Sequence, residues 1–381
     1  MIPKASRINN IDESQTIAIT NLVAELRSEG EDVVDLSVGE PDFQTPENIV
    51  DAGRTAMESG KTTYTPSKGI PQLRQEIANK YEAYGISYSP EEIIVTPGAK
   101  QAIFEAVQAC VDPGDEVILC EPSWVSYRPI VRLAGGDTIS LDLQPHNFHL
   151  EPALDELKTL ISDDTRALIL NSPNNPTGAV YSQNALETLR DLAIDTNTVV
   201  ITDEIYEAIT YDDQPISIAS LDGMRERTIT INGFSKAYSM TGWRLGYMAA
   251  PTSFISAAAK IHSHTATCAT NFVQHAGVEA LRNTTNAVDE MVAAFEKRRN
   301  VLVDLLAEYD VTIQPPEGAF YAMVPVAEDD ESWCKDVLRE VQVATVPGSA
   351  FNAPGYARFS YANNTEQIKE GIARIGSNDY F

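Results

Sequence analysis

The chain has 381 residues, 43% of them hydrophobic and 22% charged, with 28 Lys and Arg against 55 Asp and Glu for a net charge of −27. That composition excludes a disordered chain, a collagen-like repeat and a disulfide-stapled miniature, and the length predicts two domains of roughly 100–200 residues each. The acidic excess argues against a nucleic-acid or anionic-membrane binder, because phosphate backbones are held by clustered Lys and Arg. It reads either as plain solubility or as the hydrated surface of a protein from a high-salt cytoplasm, where salt screens carboxylate repulsion.

In chain order, the opening MIPKASRINNIDESQ lacks an apolar h-region, and no run of about 18 apolar residues follows, so a cytoplasmic protein without signal peptide or membrane span is expected. Apolar residues at Ile19, Leu22, Val23 and Leu26 predict a helix over 15–28, followed by the extended DVVDLSVGEPDF. Between Val95 and Ala250, strand-like runs at 116–120, 167–170, 199–202 and 228–231 alternate with helical spacing such as that over 183–193. This is the βαβ pattern of a mostly parallel sheet sandwiched by helices. After Ala287 come a long charged helix (290–309), short strands near Val311 and at 319–324, 344–346 and 357–361, and a last helix from Glu366. The expected α/β fold has a large domain over 41–286 and a smaller α+β domain built from both termini, 1–40 and 287–381. The cysteines at 110, 120, 268 and 334 form no C-x-x-C pair, and His146/His149 and His262/His264 have no Cys or carboxylate cluster beside them in sequence. No disulfide framework and no metal site are expected.

Open α/β sheets bind ligands beyond the carboxyl ends of their strands. Four segments fall there. TPGAKQAIFEAV (96–107) is a Pro-Gly turn into a helix that aims the N–H groups of Ala99 and Lys100 at an anion, although any strand–turn–helix junction has that outline. NSPNNPTG (171–178) is a proline-stiffened turn that orients Asn174 and Asn175. Asp203 follows four apolar residues and is either a helix cap or an acid held in a buried site, with Tyr206 close behind. Lys236 and Arg244 share a Gly-punctuated loop among Phe234, Tyr238, Met240 and Trp243, where desolvation and the neighbouring cation would depress the lysine toward a nucleophilic amine. A phosphate cradle, a buried Asp, an Asn, a Tyr, a Lys and an Arg on successive strand ends suit a phosphorylated pyridine aldehyde.

SVGEPDFQTP, YTPSKG, NNPTG, DEIYE, SKAYSMTGWRLG and ARFSYA, spread from about Asp35 to Tyr361, resemble the class I/II aminotransferases, fold-type I pyridoxal-phosphate enzymes, and SIASLDGMRERTITINGFSK is most similar to archaeal aspartate- and aromatic-type members. The resemblance implies that Lys236 forms the Schiff base and shuttles the proton. It implies that Asp203 pairs with the pyridine nitrogen and that Tyr206 and Asn175 bind the ring's phenolic oxygen. Trp124 would stack on the ring, with core packing as its alternative role. Ala99, Lys100 and Arg244 would hold the phosphate, together with Tyr64 from the second subunit of a homodimer. Arg358 would bind the substrate carboxylate, with Gly39 opposite it and Trp124 and Asn175 on the substrate's side. Many members carry a phosphate-binding Ser three residues before the lysine, where this chain has Gly233, while Ser235 stands next to the lysine.

The reaction so implied moves an amino group from an aspartate- or aromatic-type L-amino acid to a 2-oxo acid such as 2-oxoglutarate in two half-reactions. A carbon–sulfur lyase or an aminocyclopropane-carboxylate-synthase-like lyase would use the same lysine, aspartate and arginine. A regulator that fuses this core to a DNA-binding module finds no basic segment before Asp35. Ile17, Tyr64, Trp124, Tyr127 and Arg128 are candidates for the side-chain pocket.

Overall fold

The computed structural model describes residues 2, 4–11, 15–212 and 214–381. Helix α1 (Gln15–Glu29) leads to strand β1 (Val34–Asp35) and helices α2 (Glu47–Glu58) and α3 (Pro71–Glu82). The alternating central segment follows as β2 (Ile93–Thr96), α4 (Ala99–Cys110), β3 (Glu116–Glu121), α5 (Tyr127–Ala134), β4 (Asp137–Asp142), α6 (Leu154–Leu160), β5 (Thr165–Asn171), α7 (Gln183–Asp195), β6 (Val199–Asp203), β7 (Thr228–Gly233) and β8 (Gly246–Ala249). Helices α8 (Thr252–Thr265), α9 (Asn271–Asn283) and α10 (Thr285–Ala307) precede β9 (Tyr321–Pro325), α11 (Asp330–Glu340), β10 (Val343–Ala344), β11 (Val346–Pro347), β12 (Tyr356–Ser360) and α12 (Thr365–Gly376).

The main sheet has seven strands in the order β2-β8-β7-β6-β5-β3-β4, parallel except for the pairings of β8 with β2 and β7. Its inner strands are buried because both faces are covered, whereas the edge strand β4 buries only Leu141 fully. In β3, Val117 and Leu119 enter the core shared with α4, α5 and α8, whereas Ile118 and Cys120 enter the core shared with α6 and α7. Local chemistry sets the helix starts: Ser182 accepts from Ala185 N at 3.1 Å to open α7, and Asn364 accepts from Gln367 N at 2.9 Å to open α12.

Beside this sheet lie a three-stranded antiparallel sheet, β11-β12-β9, and a parallel pair, β1-β10. Val34 and Leu36 share one apolar core with Phe320, Phe359 and Ile372, and Tyr206 and Ile209 of the central segment reach into it. The segment around Val311 is not a strand, and the run at 344–346 divides into two short strands because β10 pairs with β1 while β11 pairs with β12. The four thiols are free. His146 faces Glu156 at 2.8 Å, and the buried His262 Nδ1 lies 3.0 Å from both oxygens of Glu105. Among the described residues no helix is long and apolar enough to cross a membrane, and no group of three His, Cys, Asp or Glu is placed to hold a metal.

Candidate active site

Register builds the site. Asn171 at the end of β5 is opposite Asp203 at the end of β6, and Asp203 is opposite Ile231 of β7, so three parallel strands stop at nearly one level. Above them opens a cavity of about 630 Å³. Every site residue expected from the sequence except Tyr64 lines it: Gly39, Ala99, Lys100, Trp124, Asn175, Asp203, Tyr206, Lys236, Arg244 and Arg358.

Asp203 is buried and caps no helix, since turns follow it. One carboxylate oxygen accepts from Tyr127 Oη at 2.8 Å and the other from Ile205 N at 3.2 Å. Burial nevertheless outweighs these bonds and raises its carboxyl to about 6. Asn171, unflagged by the sequence, donates to Asp203 O at 2.9 Å and accepts from Asn175 N at 2.8 Å. Asn175 donates to Tyr206 Oη at 3.5 Å, and Tyr206 Oη in turn meets Tyr321 Oη at 3.1 Å. Asn174 turns away, its side chain serving Thr177 within the turn itself.

Lys236 Nζ donates to Gly39 O at 2.5 Å. Burial pushes its amine down to about 8; Glu40 opposes the fall, while Arg358 and Arg244 add to it. Glycine at 39 is not forced by packing within the chain, since a Cβ there would make an ordinary 3.6 Å contact with Tyr321 Oη; the residue contributes its carbonyl. At Gly233 packing does decide, because a Cβ would stand 3.0 Å from Leu245 O and 3.1 Å from Gly246 Cα. A serine has no room there, and Ser235 lines the cavity instead.

At the opposite end, α4 begins at Ala99 with no side-chain cap, leaving its first N–H groups free at the positive end of the helix dipole. Arg244, in the left-handed region at φ 55°, brings its guanidinium to the same place: a Cβ on Gly98 would meet Nη2 at 2.5 Å. Lys100 Nζ lies 4.8 Å from the Trp124 ring, and its amine is lowered by burial and by Arg244. Lys100, Arg244 and a helix N-terminus thus converge, and an anion is what relieves their mutual repulsion.

Arg358 is buried between two rings, 4.4 Å from Tyr321 and 4.9 Å from Phe351. Its Nη1 donates to Asn175 Oδ1 at 3.0 Å and its Nη2 to Ser37 O at 2.8 Å, while Nε is buried without a partner. Tyr64 is 85% exposed and outside the cavity of its own chain. Trp124 and Tyr127 line the cavity, edge to face at 5.3 Å, whereas Arg128 lines a neighbouring one and is spent on Glu121, Thr138 and Ser140. The side chain of Ile17 lies outside the described residues. Ser37, Tyr127, Asn171 and Tyr321 gain their places through contacts between segments distant in sequence, and no local motif announced those contacts.

The family model "Aminotransferase class I and II" matches residues 31–375. An aspartate aminotransferase from Thermotoga maritima is 42% identical over 372 residues, 97% of each chain. The solved aspartate aminotransferase of Thermus thermophilus with maleate superposes with a TM-score of 0.95 at 39% identity, over 99% of this chain and 100% of that one. The aromatic aminotransferase of Pyrococcus horikoshii does so with a TM-score of 0.88 at 41% identity, over 93% and 98%. The chain is a class I and II aminotransferase.

As a transaminase of this family it uses pyridoxal 5′-phosphate, and the cavity fits that group on its own chemistry. This aminotransferase offers an uncapped helix end and Arg244 for a dianion, a lysine depressed to about 8 for an aldehyde, and a buried carboxyl raised to about 6 that a cation would recharge.

Proposed function

We propose that the chain transaminates a dicarboxylic or aromatic L-amino acid with 2-oxoglutarate, with Lys236, Asp203 and Tyr206 as its catalytic residues. The convergence on one cavity of Lys100, Lys236, Arg244 and Arg358, none of which has a carboxylate within 4 Å among the described residues, carries this reading, because a phosphate and two substrate carboxylates together match it. Ala99 N, Lys100 N, Arg244 and Ser235 hold the phosphate, and Tyr64 joins them from a second subunit; its exposed ring supports a homodimer. Pyridoxal phosphate, when bound, supplies the electron sink that acidifies the substrate α-proton. Asp203 would keep the pyridine nitrogen protonated, since any ion pair at about 4 Å and an effective dielectric near 20 is worth roughly 4 kcal/mol, about three pKa units. Tyr206 and Asn175 would bind the phenolic oxygen, and Trp124, which lines the same cavity, would pack on the ring. Lys236 Nζ takes the α-proton and returns it, steered by Gly39 O.

Arg358 takes the α-carboxylate through its unpartnered Nε side, as a planar guanidinium suits a carboxylate. Lys100, beside Trp124 and lining the cavity, is the second cation a distal carboxylate needs, which favours an aspartate-type donor. We place the large domain at 41–286 and the small one at 1–40 and 287–381, supported by the apolar core that Val34 and Leu36 share with the C-terminal segment. Free thiols and the net charge of −27 support a cytoplasmic protein, and the charge also supports adaptation to high salt.

The deciding experiment follows the visible cofactor band of purified protein on adding aspartate and then excess 2-oxoglutarate. Loss of the band with the donor and recovery with the oxo acid is expected. A band that the donor removes and the oxo acid does not restore would indicate a lyase.

A further inference from the structure

Glu121, the last residue of β3, is 2% exposed. Each of its oxygens is claimed by a different part of the molecule. Oε1 accepts from Arg128 Nη2 at 2.5 Å, and that guanidinium also donates to Thr138 Oγ1 at 2.6 Å and Ser140 Oγ at 3.0 Å on β4. Oε2 accepts from Asn352 Nδ2, at the end of the single turn over 348–351 that joins β11 to β12. Asn352 adopts φ 68°, a conformation that asparagine tolerates. Two residues beyond Glu121, Ser123 N donates to Phe351 O at 3.2 Å. Phe351 is therefore bracketed by two bonds to the end of β3, and its ring forms one face of the stack around Arg358.

We infer that Glu121 is a positioning residue for substrate-carboxylate binding: by holding Asn352 it seats the Phe351 ring against Arg358 and sets the plane of the guanidinium. The inference rests on Arg358 as the carboxylate group. A carboxylate buried this deeply is costly unless both oxygens are satisfied, and here one bond comes from the β3–β4 side and the other from the loop that closes on it. The loop has an independent mooring on its own side, since Ser349 N donates to Asp330 Oδ2 at 2.7 Å, and it is closed internally by the bond from Ala353 N to Gly348 O at 2.9 Å. Breaking the Glu121 contact therefore shifts the loop without unravelling it.

The α-carboxylate is common to every donor and acceptor, so the effect must appear in both half-reactions whatever the substrate side chain. In the holoenzyme, Asn352→Asp sets two carboxylates against each other. KM for donor and oxo acid should rise together, by about tenfold or more, with kcat within about threefold and the pH titration of the cofactor band unmoved. Asn352→Ala, which adds no charge, should raise both by a smaller factor. The double variant Glu121→Gln/Asn352→Asp restores a donor facing an acceptor with the roles exchanged, and should return both KM values to near wild type. Unchanged KM in Asn352→Asp or Asn352→Ala would overturn the inference, as would a double variant that regains thermal stability without regaining KM. Arg358→Lys separates the two levels: if it leaves KM intact, the carboxylate reading itself fails, whereas a large rise in Arg358→Lys beside silent Asn352 variants condemns only the role of Glu121.

Discussion

Residues 203–207 place three buried acids at and just beyond the end of one strand, and the surroundings of Asp203 and Glu207 could hardly differ more. Asp203 faces the cavity, has only neutral donors within hydrogen-bond distance among the described residues, and is raised to about 6 by burial. Glu207 faces inward, takes Lys80 Nζ at 2.7 Å and Asn232 Nδ2 at 2.5 Å, and ties α3 to β7. Between them Glu204, bonded to Ser217 at 2.6 Å, is pushed up to about 8 by burial. Buried charge alone does not mark a functional site. Asp203 belongs to the site because it lines the cavity together with Lys236 and Arg358 and has no cation of its own, whereas Glu207, already supplied with one, is part of the frame.

Substitutions should separate the two regions. Lys236→Ala removes the amine, and turnover should fall by at least about 10⁴-fold with loss of the covalent cofactor band; any larger residual rate removes the lysine from its role. Asp203→Asn keeps the shape but not the charge and should lower kcat by roughly 10³-fold, the equivalent of about 4 kcal/mol, with little loss of stability in urea. Glu207→Ala should do the reverse, lowering the unfolding free energy by about 3–5 kcal/mol because Lys80 is left buried and unpaired, while turnover of the folded fraction changes far less than in Asp203→Asn.

The pH dependence sharpens the contrast. In the cofactor-free protein, Asp203 binds its proton more tightly folded than unfolded, so stability from this group is present below the ordinary value of 3.8 and is lost as pH rises to about 6, by roughly 3 kcal/mol. Urea titrations of wild type and Asp203→Asn should diverge across that window and run parallel above it. Lys236 has the opposite sign: cofactor uptake by the apoprotein should accelerate up to about pH 8 and then level off as the amine becomes neutral. The smallest effect belongs to the surface. If the net charge of −27 is a salt adaptation, potassium chloride should raise the thermal midpoint and activity together as the screening length falls to about 3 Å at 1 M. A flat response leaves only solubility.

Much of the site was legible because strand ends and turns announce themselves locally. The apolar run ending at Asp203, the Pro-Gly turn before Ala99 and the glycines around Arg244 each state a geometry within a few residues. Asn171 escaped notice although it stands in the quoted NSPNNPTG, because its role depends on register with Asp203 of the next strand. Arg128 looked available and is not, since Glu121, Thr138 and Ser140 reach it from other elements.

The amino-acid sequence by itself determined the alternating βαβ order, the family and most of the residues that meet at the cavity, because hydrophobic period and turn chemistry are local properties. Only the tertiary structure decided which of the buried charges are already paired, why position 233 admits no side chain, and how Arg358 comes to lie between Tyr321 and Phe351. Those outcomes depend on how elements turn back and pack on one another, whether the partners are as near in sequence as Gly233 and Leu245 or as far apart as Lys80 and Glu207, and pairing and close packing are physical facts about neighbours in space.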